Sequence, residues 1–112
     1  MKRMEQDSLG EFEQLVLLAV LRLGDRAYAV TIRQEIEKRT GRSVSRGATY
    51  VTLDRLEKKG YLASRLGDPT AERGGRSKRY YELRPVGGAA LRESWTAIRK
   101  MWEGMEPVIK KI

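Results

Sequence analysis

Two amphipathic segments joined by a four-residue polar link, then two alternating segments around a glycine- and arginine-rich loop, predict a mainly α fold with a small β-hairpin. A third observation completes it: the last 28 residues carry large apolar side chains at heptad spacing. The expected architecture is a winged helix-turn-helix with a C-terminal dimerisation helix. Residues 1–84 would form the winged part and residues 85–112 the dimerisation helix, both within one compact unit.

From Leu9 to Leu23, Phe12, Leu15, Val16, Ala19 and Leu23 recur at helical spacing, and Leu18 and Leu21 widen the stripe until the segment is apolar on nearly every side. This is the expected buried central helix, with Ser8 as its cap and Gly24-Asp25 as its stop. Ala27 to Thr40 reads as a second, half-exposed helix, with Ala29, Ile32 and Ile36 on its inner face and Gly41 just beyond it. The link Gly41-Arg42-Ser43-Val44 leads to Ser45, which stands where an N-cap belongs, before a third helix running to about Lys59. At 100° per residue, Thr49, Thr52, Leu53 and Leu56 share its core side. Arg46, Gly47, Tyr50, Val51, Asp54 and Lys58 face outward, and a tyrosine and a valine are unusual on a purely solvated face.

After Gly60 the period shortens to two. Tyr61 to Leu66 and Lys78 to Leu83 are the expected strands, joined by a turn-forming loop with Arg73, Arg76, Lys78 and Arg79 clustered at its far end. Pro85 suits a helix start. Beyond it Leu91, Trp95, Ile98, Trp102, Met105, Ile109 and Ile112 alternate spacings of four and three. Such a stripe either pairs with a second copy or packs on the first helix of its own domain. Gly104 and Pro107 predict a kink or break near Gly104.

Composition narrows the function. With no cysteine and no histidine, the chain lacks thiol nucleophiles, disulfides, the usual zinc ligands and the usual neutral-pH base, so an enzyme is not expected and no metal or cofactor is implied. The longest apolar run, Leu15 to Leu21, is far shorter than the roughly 18 residues of a membrane span, and the N-terminus lacks the pattern of a secretory signal, so a cytoplasmic location is expected. The net charge of +8 is concentrated centrally, with +4 over Asp25–Gly60 and +3 over Tyr61–Arg84. A basic centre suits a polyanion, because neutralising phosphates releases their condensed counterions. An RNA-binding protein and a protein-docking winged helix are the competing readings. The heptad stripe weighs against the first and the central charge against the second.

Three stretches carry a family resemblance: Leu9 to Glu13 leading into the apolar helix, Gly47 to Leu62, and Gly74 to Gly87. The Gly-x-x-Tyr-x-x-Leu-x-x-Leu core of the second, followed by the basic Gly-Arg segment of the third, resembles the PadR family of bacterial transcriptional regulators over nearly the whole chain. The resemblance implies a homodimer built by the C-terminal helix, binding an inverted-repeat operator in double-stranded DNA and usually repressing transcription. It also implies the short branch of the family, with one C-terminal helix. Arg84 stands where relatives often have threonine, which removes a hydroxyl cap from the last helix.

On this reading Ser45, Arg46, Gly47, Tyr50 and Val51 meet the major groove while Arg73, Arg76 and Lys78 supply backbone charge. Leu91, Trp95, Ile98, Trp102 and Met105 form the dimer seam. The family it resembles includes sensors of phenolic acids and of planar drugs, some using a tryptophan on this helix. Trp95 and Trp102 are therefore candidate contacts for a small aromatic or cationic effector; the plainer alternative is that both rings fill the dimer seam.

Overall fold

The computed structural model describes residues 8–68 and 77–112. In order these form α1 (Glu11–Leu23), a 3-10 turn (Gly24–Arg26), α2 (Ala29–Thr40), α3 (Arg46–Lys58), β1 (Leu62–Leu66), β2 (Arg79–Leu83), α4 (Pro85–Trp102) and α5 (Glu106–Lys110). Val16, Leu17 and Val20 of α1, Ile32 and Ile36 of α2, and Leu53 and Leu56 of α3 meet in one core closed by Leu62 and Tyr81 of the hairpin. The expected mainly helical fold with one antiparallel hairpin is the observed one.

The first helix starts two residues later than its apolar pattern does, and Ser8 is not its cap. Gly10 occupies that position, its amide donating to Glu13 Oε1 at 2.9 Å. A carboxylate one turn inside a helix reaches back to the cap amide, so Glu13 satisfies the amide of Gly10 while no side chain caps the first turn. Nor is α1 buried all round: Leu18 and Leu21 remain exposed. The second helix also starts two residues later than expected. Ala27 is fully buried, and Tyr28 is extended and forms an isolated antiparallel bridge with Tyr80. The Tyr81 amide donates to the Ala27 carbonyl at 2.9 Å. The residues before α2 thus cover the outer edge of β2, satisfying backbone groups that a bare edge would leave open.

The β1–β2 register sets Leu62 opposite Leu83, Ser64 opposite Tyr81 and Leu66 opposite Arg79. Directly opposed residues share a face, so this face is core-directed at Leu62 and Tyr81 and emerges at Leu66 and Arg79. The other face carries the pairs Ala63–Glu82 and Arg65–Tyr80.

Pro85 opens α4, and Arg84 before it makes no side-chain cap. Ala90 and Leu91 pack on the core, but from Trp95 onward the helix leaves the body. The sequence leaves open whether the heptad stripe folds onto its own α1. Only its inner end does: Leu91 packs on the core, whereas Trp95 is 61 %, Ile98 53 % and Trp102 44 % exposed. The expected break is present, with Gly104 in the left-handed region at φ 79° and Pro107 in the first turn of α5, where its missing amide costs nothing.

Candidate functional site

The outward side of α3 is positioned from both ends. At its start, Gly41 takes the left-handed conformation (φ 74°), closing α2 and turning the chain. Val44 is buried, and its amide donates to Glu37 Oε2 at 2.9 Å, so one side chain of α2 holds the middle of the link. Ser45 then caps α3, its Oγ accepting from the Ala48 amide at 3.0 Å. The Arg42 guanidinium donates to Glu11 at 2.7 Å, tying the link to the first turn of α1 and holding the Glu11 carboxyl below its ordinary pKa.

At the far end, Lys59 and Arg55 converge on Glu13 at 3.3 and 3.6 Å. Burial disfavours the charged form of Glu13, but the Gly10 amide and the two cations outweigh it and hold this carboxyl below its usual value. The first turn of α1 therefore grips α3 before its beginning and at its end. Sequence reasoning missed Glu11 and Glu13 as positioning residues. Their cations Arg42 and Lys59 lie 31 and 46 residues away along the chain, and Arg55 lies between these two, separations that no local pattern encodes.

Between these anchors Thr49, Thr52, Leu53 and Leu56 are buried, and Arg46, Gly47, Tyr50, Val51, Asp54 and Lys58 are exposed, as the helical spacing predicts. Tyr50 and Val51 are 52 % and 57 % exposed. Lys58 is engaged by Asp54 at 3.2 Å, whereas Arg46 has no carboxylate partner among the described residues. The uncompensated charge and the apolar surface thus lie in the first half of the helix. There the unpaired amides and the positive end of the dipole also favour an anion.

The hairpin stands beside this face. Ser64 Oγ donates to Glu57 Oε2 of α3 at 2.7 Å and accepts from Arg79 Nη1 at 2.9 Å. The buried Tyr81, opposite Ser64, lies within electrostatic reach of Glu57, Tyr50 and Asp54, and burial followed by the Glu57 charge pushes its phenol above the usual tyrosine value. Arg73 and Arg76 lie outside the described residues. Lys78 is described, and its ammonium sits 4.5 Å from the ring centre of Tyr28, which meets Tyr80 edge-on at 5.5 Å. That places Lys78 at the edge of β2 that Tyr28 covers, away from α3.

The stripe of α4 forms a second exposed surface, with Leu91 at its inner end and Trp95, Ile98, Trp102 and Met105 beyond it. The Arg99 guanidinium lies 4.9 Å from the ring centre of Trp95. Among the described residues, no group of acidic side chains is placed to hold a metal ion. None of the described helices is long and apolar enough to cross a membrane.

Comparison with known proteins places these features together. The model of the transcriptional regulator PadR-like family matches residues 17–93, from the middle of α1 into α4. Among curated proteins there is no significant match. The solved PadR-like transcription factor of Bacteroides fragilis is 26 % identical with a TM-score of 0.69, covering 87 % of this chain and 88 % of that one. A PadR family regulator of Clostridium difficile is 20 % identical with a TM-score of 0.69, covering 88 % of this chain and 98 % of that one. The Aeropyrum pernix ORC1 protein, solved in complex with DNA, matches at 23 % identity and a TM-score of 0.61, over 81 % of this chain and 26 % of that larger one. The last two show a shared fold.

Proposed function

The chain belongs to the PadR-like family of transcriptional regulators, and from that premise we propose that it is a cytoplasmic repressor, binding an inverted-repeat operator in double-stranded DNA as a homodimer. The observation that carries this reading is the exposed first half of α3. It joins a capped helix start, an unpaired Arg46, a glycine that permits close approach and the half-exposed Tyr50 and Val51 on one face. Inserted in a major groove, Ser45 and the first-turn amides meet phosphate. The Arg46 fork suits the two acceptors of a guanine edge, and Tyr50 and Val51 offer contacts to a sugar or a thymine methyl. Arg73, Arg76 and Lys78 add charge from the hairpin and its loop. A second copy, joined through Leu91, Trp95, Ile98, Trp102 and Met105, supplies the other reading helix about 34 Å away, one DNA turn along.

Selection of duplexes from a random pool, followed by binding titrations over a range of salt, tests this. The enriched sequence is expected to be an inverted repeat, and Arg46→Ala is expected to weaken binding to it by about 1–3 kcal/mol and relax the preference at one base pair. Enrichment of no sequence, or an Arg46→Ala variant that binds as tightly and selectively as the parent, would count against it.

The arrangement at Trp95 favours a further element of this reading, release by a small aromatic effector. A slot between two copies of α4 would be floored by exposed indole, and Arg99 already occupies one face of Trp95. A planar cation stacked beside Arg99 meets a like charge, whereas an aromatic carboxylate gains a charge partner from it. Titrating tryptophan fluorescence with planar cations and phenolic acids is therefore expected to show quenching by the acids first. No quenching by either class up to the solubility limit would remove the effector from the model.

A further inference from the structure

The hairpin presents two adjacent cations that the strand separates, Lys78 over Tyr28 and Arg79 on the face beside α3. We propose that Arg79 is a DNA-phosphate-binding residue, oriented through Ser64 by Glu57 of the recognition helix, so that the hairpin and the helix engage one stretch of DNA backbone as a unit. This rests on the DNA-binding reading above and adds to it a residue and the device that aims it.

Strand geometry carries the first step. Side chains alternate between the two faces of a strand, and the pairing of Leu66 with Arg79 and of Ser64 with Tyr81 puts all four on the face that is core-directed at Leu62. Arg79 is the outermost member of that face and is exposed. It therefore emerges where the hairpin passes α3, next to the flank that carries Glu57.

The hydrogen bonding carries the second step. Ser64 gives its single hydroxyl proton to Glu57 Oε2, so its oxygen is left as an acceptor, and Arg79 Nη1 fills it. The guanidinium is thus aimed by a neutral hydroxyl, with no direct carboxylate pair among the described residues, and it spends one of five N–H donors on the aiming. An exposed guanidinium held at one nitrogen, with four N–H donors left over and its nearest carboxylate set back behind a hydroxyl, suits bidentate recognition of a phosphate. Arg55 and Lys59 make a useful contrast, since Glu13 compensates both. Lys78 presents a point charge toward an aromatic ring and contributes to the field without a fixed direction.

The test compares Arg79→Ala, Arg79→Lys, Ser64→Ala and Lys78→Ala on the duplex that the parent protein selects from a random pool, by fluorescence anisotropy across salt concentrations. Arg79→Ala is expected to weaken binding about tenfold and to lower the slope of log K against log salt by about one, as for one phosphate that is no longer neutralised. Arg79→Lys should retain the slope and lose part of the affinity. Ser64→Ala should also retain the slope while weakening binding several-fold, a split that loss of folding does not produce. Lys78→Ala should weaken binding less than Arg79→Ala. Circular-dichroism melts of all four variants report folding separately. An Arg79→Ala variant that is folded and binds with unchanged affinity and slope overturns this inference alone, provided that the parent depends on Arg46. Equal losses from Lys78→Ala and Arg79→Ala overturn it too, because the two faces would then not differ. A parent that selects no duplex overturns it together with the functional reading.

Discussion

Ile98→Glu is expected to leave a folded monomer whose affinity for the selected inverted repeat is lower by about two orders of magnitude or more. Ile98 lies at the centre of the α4 stripe and is half exposed in the protomer, so the substitution takes little from the protein's own core. In a dimer it places two carboxylates in an apolar seam without partners, and burying an unpaired charge costs several kcal/mol. Covering the exposed half of each large apolar side chain is worth only about 1 kcal/mol, so a single buried charge cancels the contribution of several seam residues. The effect on DNA binding comes from the linkage between protomers. Joining two reading helices makes the second binding event intramolecular, which raises affinity by about 10²–10⁴ with the protein–DNA interface of each protomer unchanged. Sedimentation equilibrium should show a dimer for the parent and a monomer for the variant, while binding to an isolated half-site should be nearly unchanged. A variant that remains dimeric, or a monomer that binds the full repeat as the parent does, would show that α4 is not the seam.

The features legible in the sequence follow from local physics. Capping at Ser45, the left-handed Gly41, the buried and exposed sides of α3, the start at Pro85 and the break at Gly104 all depend on residues within about one helical turn of the feature, and all appear in the structure. The failures depend on distance. Ser8 looks like a cap because a hydroxyl precedes an apolar helix, but Glu13 reaches the Gly10 amide while also meeting Lys59 and Arg55 from the far side of the core. Tyr28 reads as helical by its neighbours, yet it is extended because its role is set by Tyr80, a strand partner beyond two helices. The hairpin cations illustrate a middle case. Strand alternation already separates residue 78 from residue 79, but which of them faces α3 is fixed only by the Ser64–Tyr81 register.

Gly87→Ala is expected to destabilise the protein, against the ordinary preference of a helix for alanine. At an unobstructed helical site that exchange stabilises by up to about 1 kcal/mol. Gly87 is buried, and a Cβ there would collide with the Tyr61 carbonyl oxygen and stand 3.0 Å from Leu83 Cδ1. The oxygen belongs to backbone and cannot swing aside, so α4 has to lift from its seat at an overpacking cost of about 3 kcal/mol, leaving a net loss of about 2 kcal/mol. Gly88→Ala is the matched control, because its Cβ would meet only Leu83 Cδ2 at an ordinary 3.8 Å, and it should melt at or above the parent temperature. The same carbonyl accepts the Arg84 amide at 2.9 Å, and the Tyr61 amide donates to Leu56 of α3 at 3.0 Å. Tyr61 therefore joins the end of α3 to the start of α4, and Gly87 lets the two approach closely. Lifting α4 changes the angle between them and, in the proposed dimer, the separation of the two reading helices. Gly87→Ala should consequently lose more affinity for the two-site repeat than for a half-site, even at temperatures where it is fully folded. Equal losses on both duplexes would confine Gly87 to stability, and a melting temperature at or above that of the parent would contradict the close approach itself.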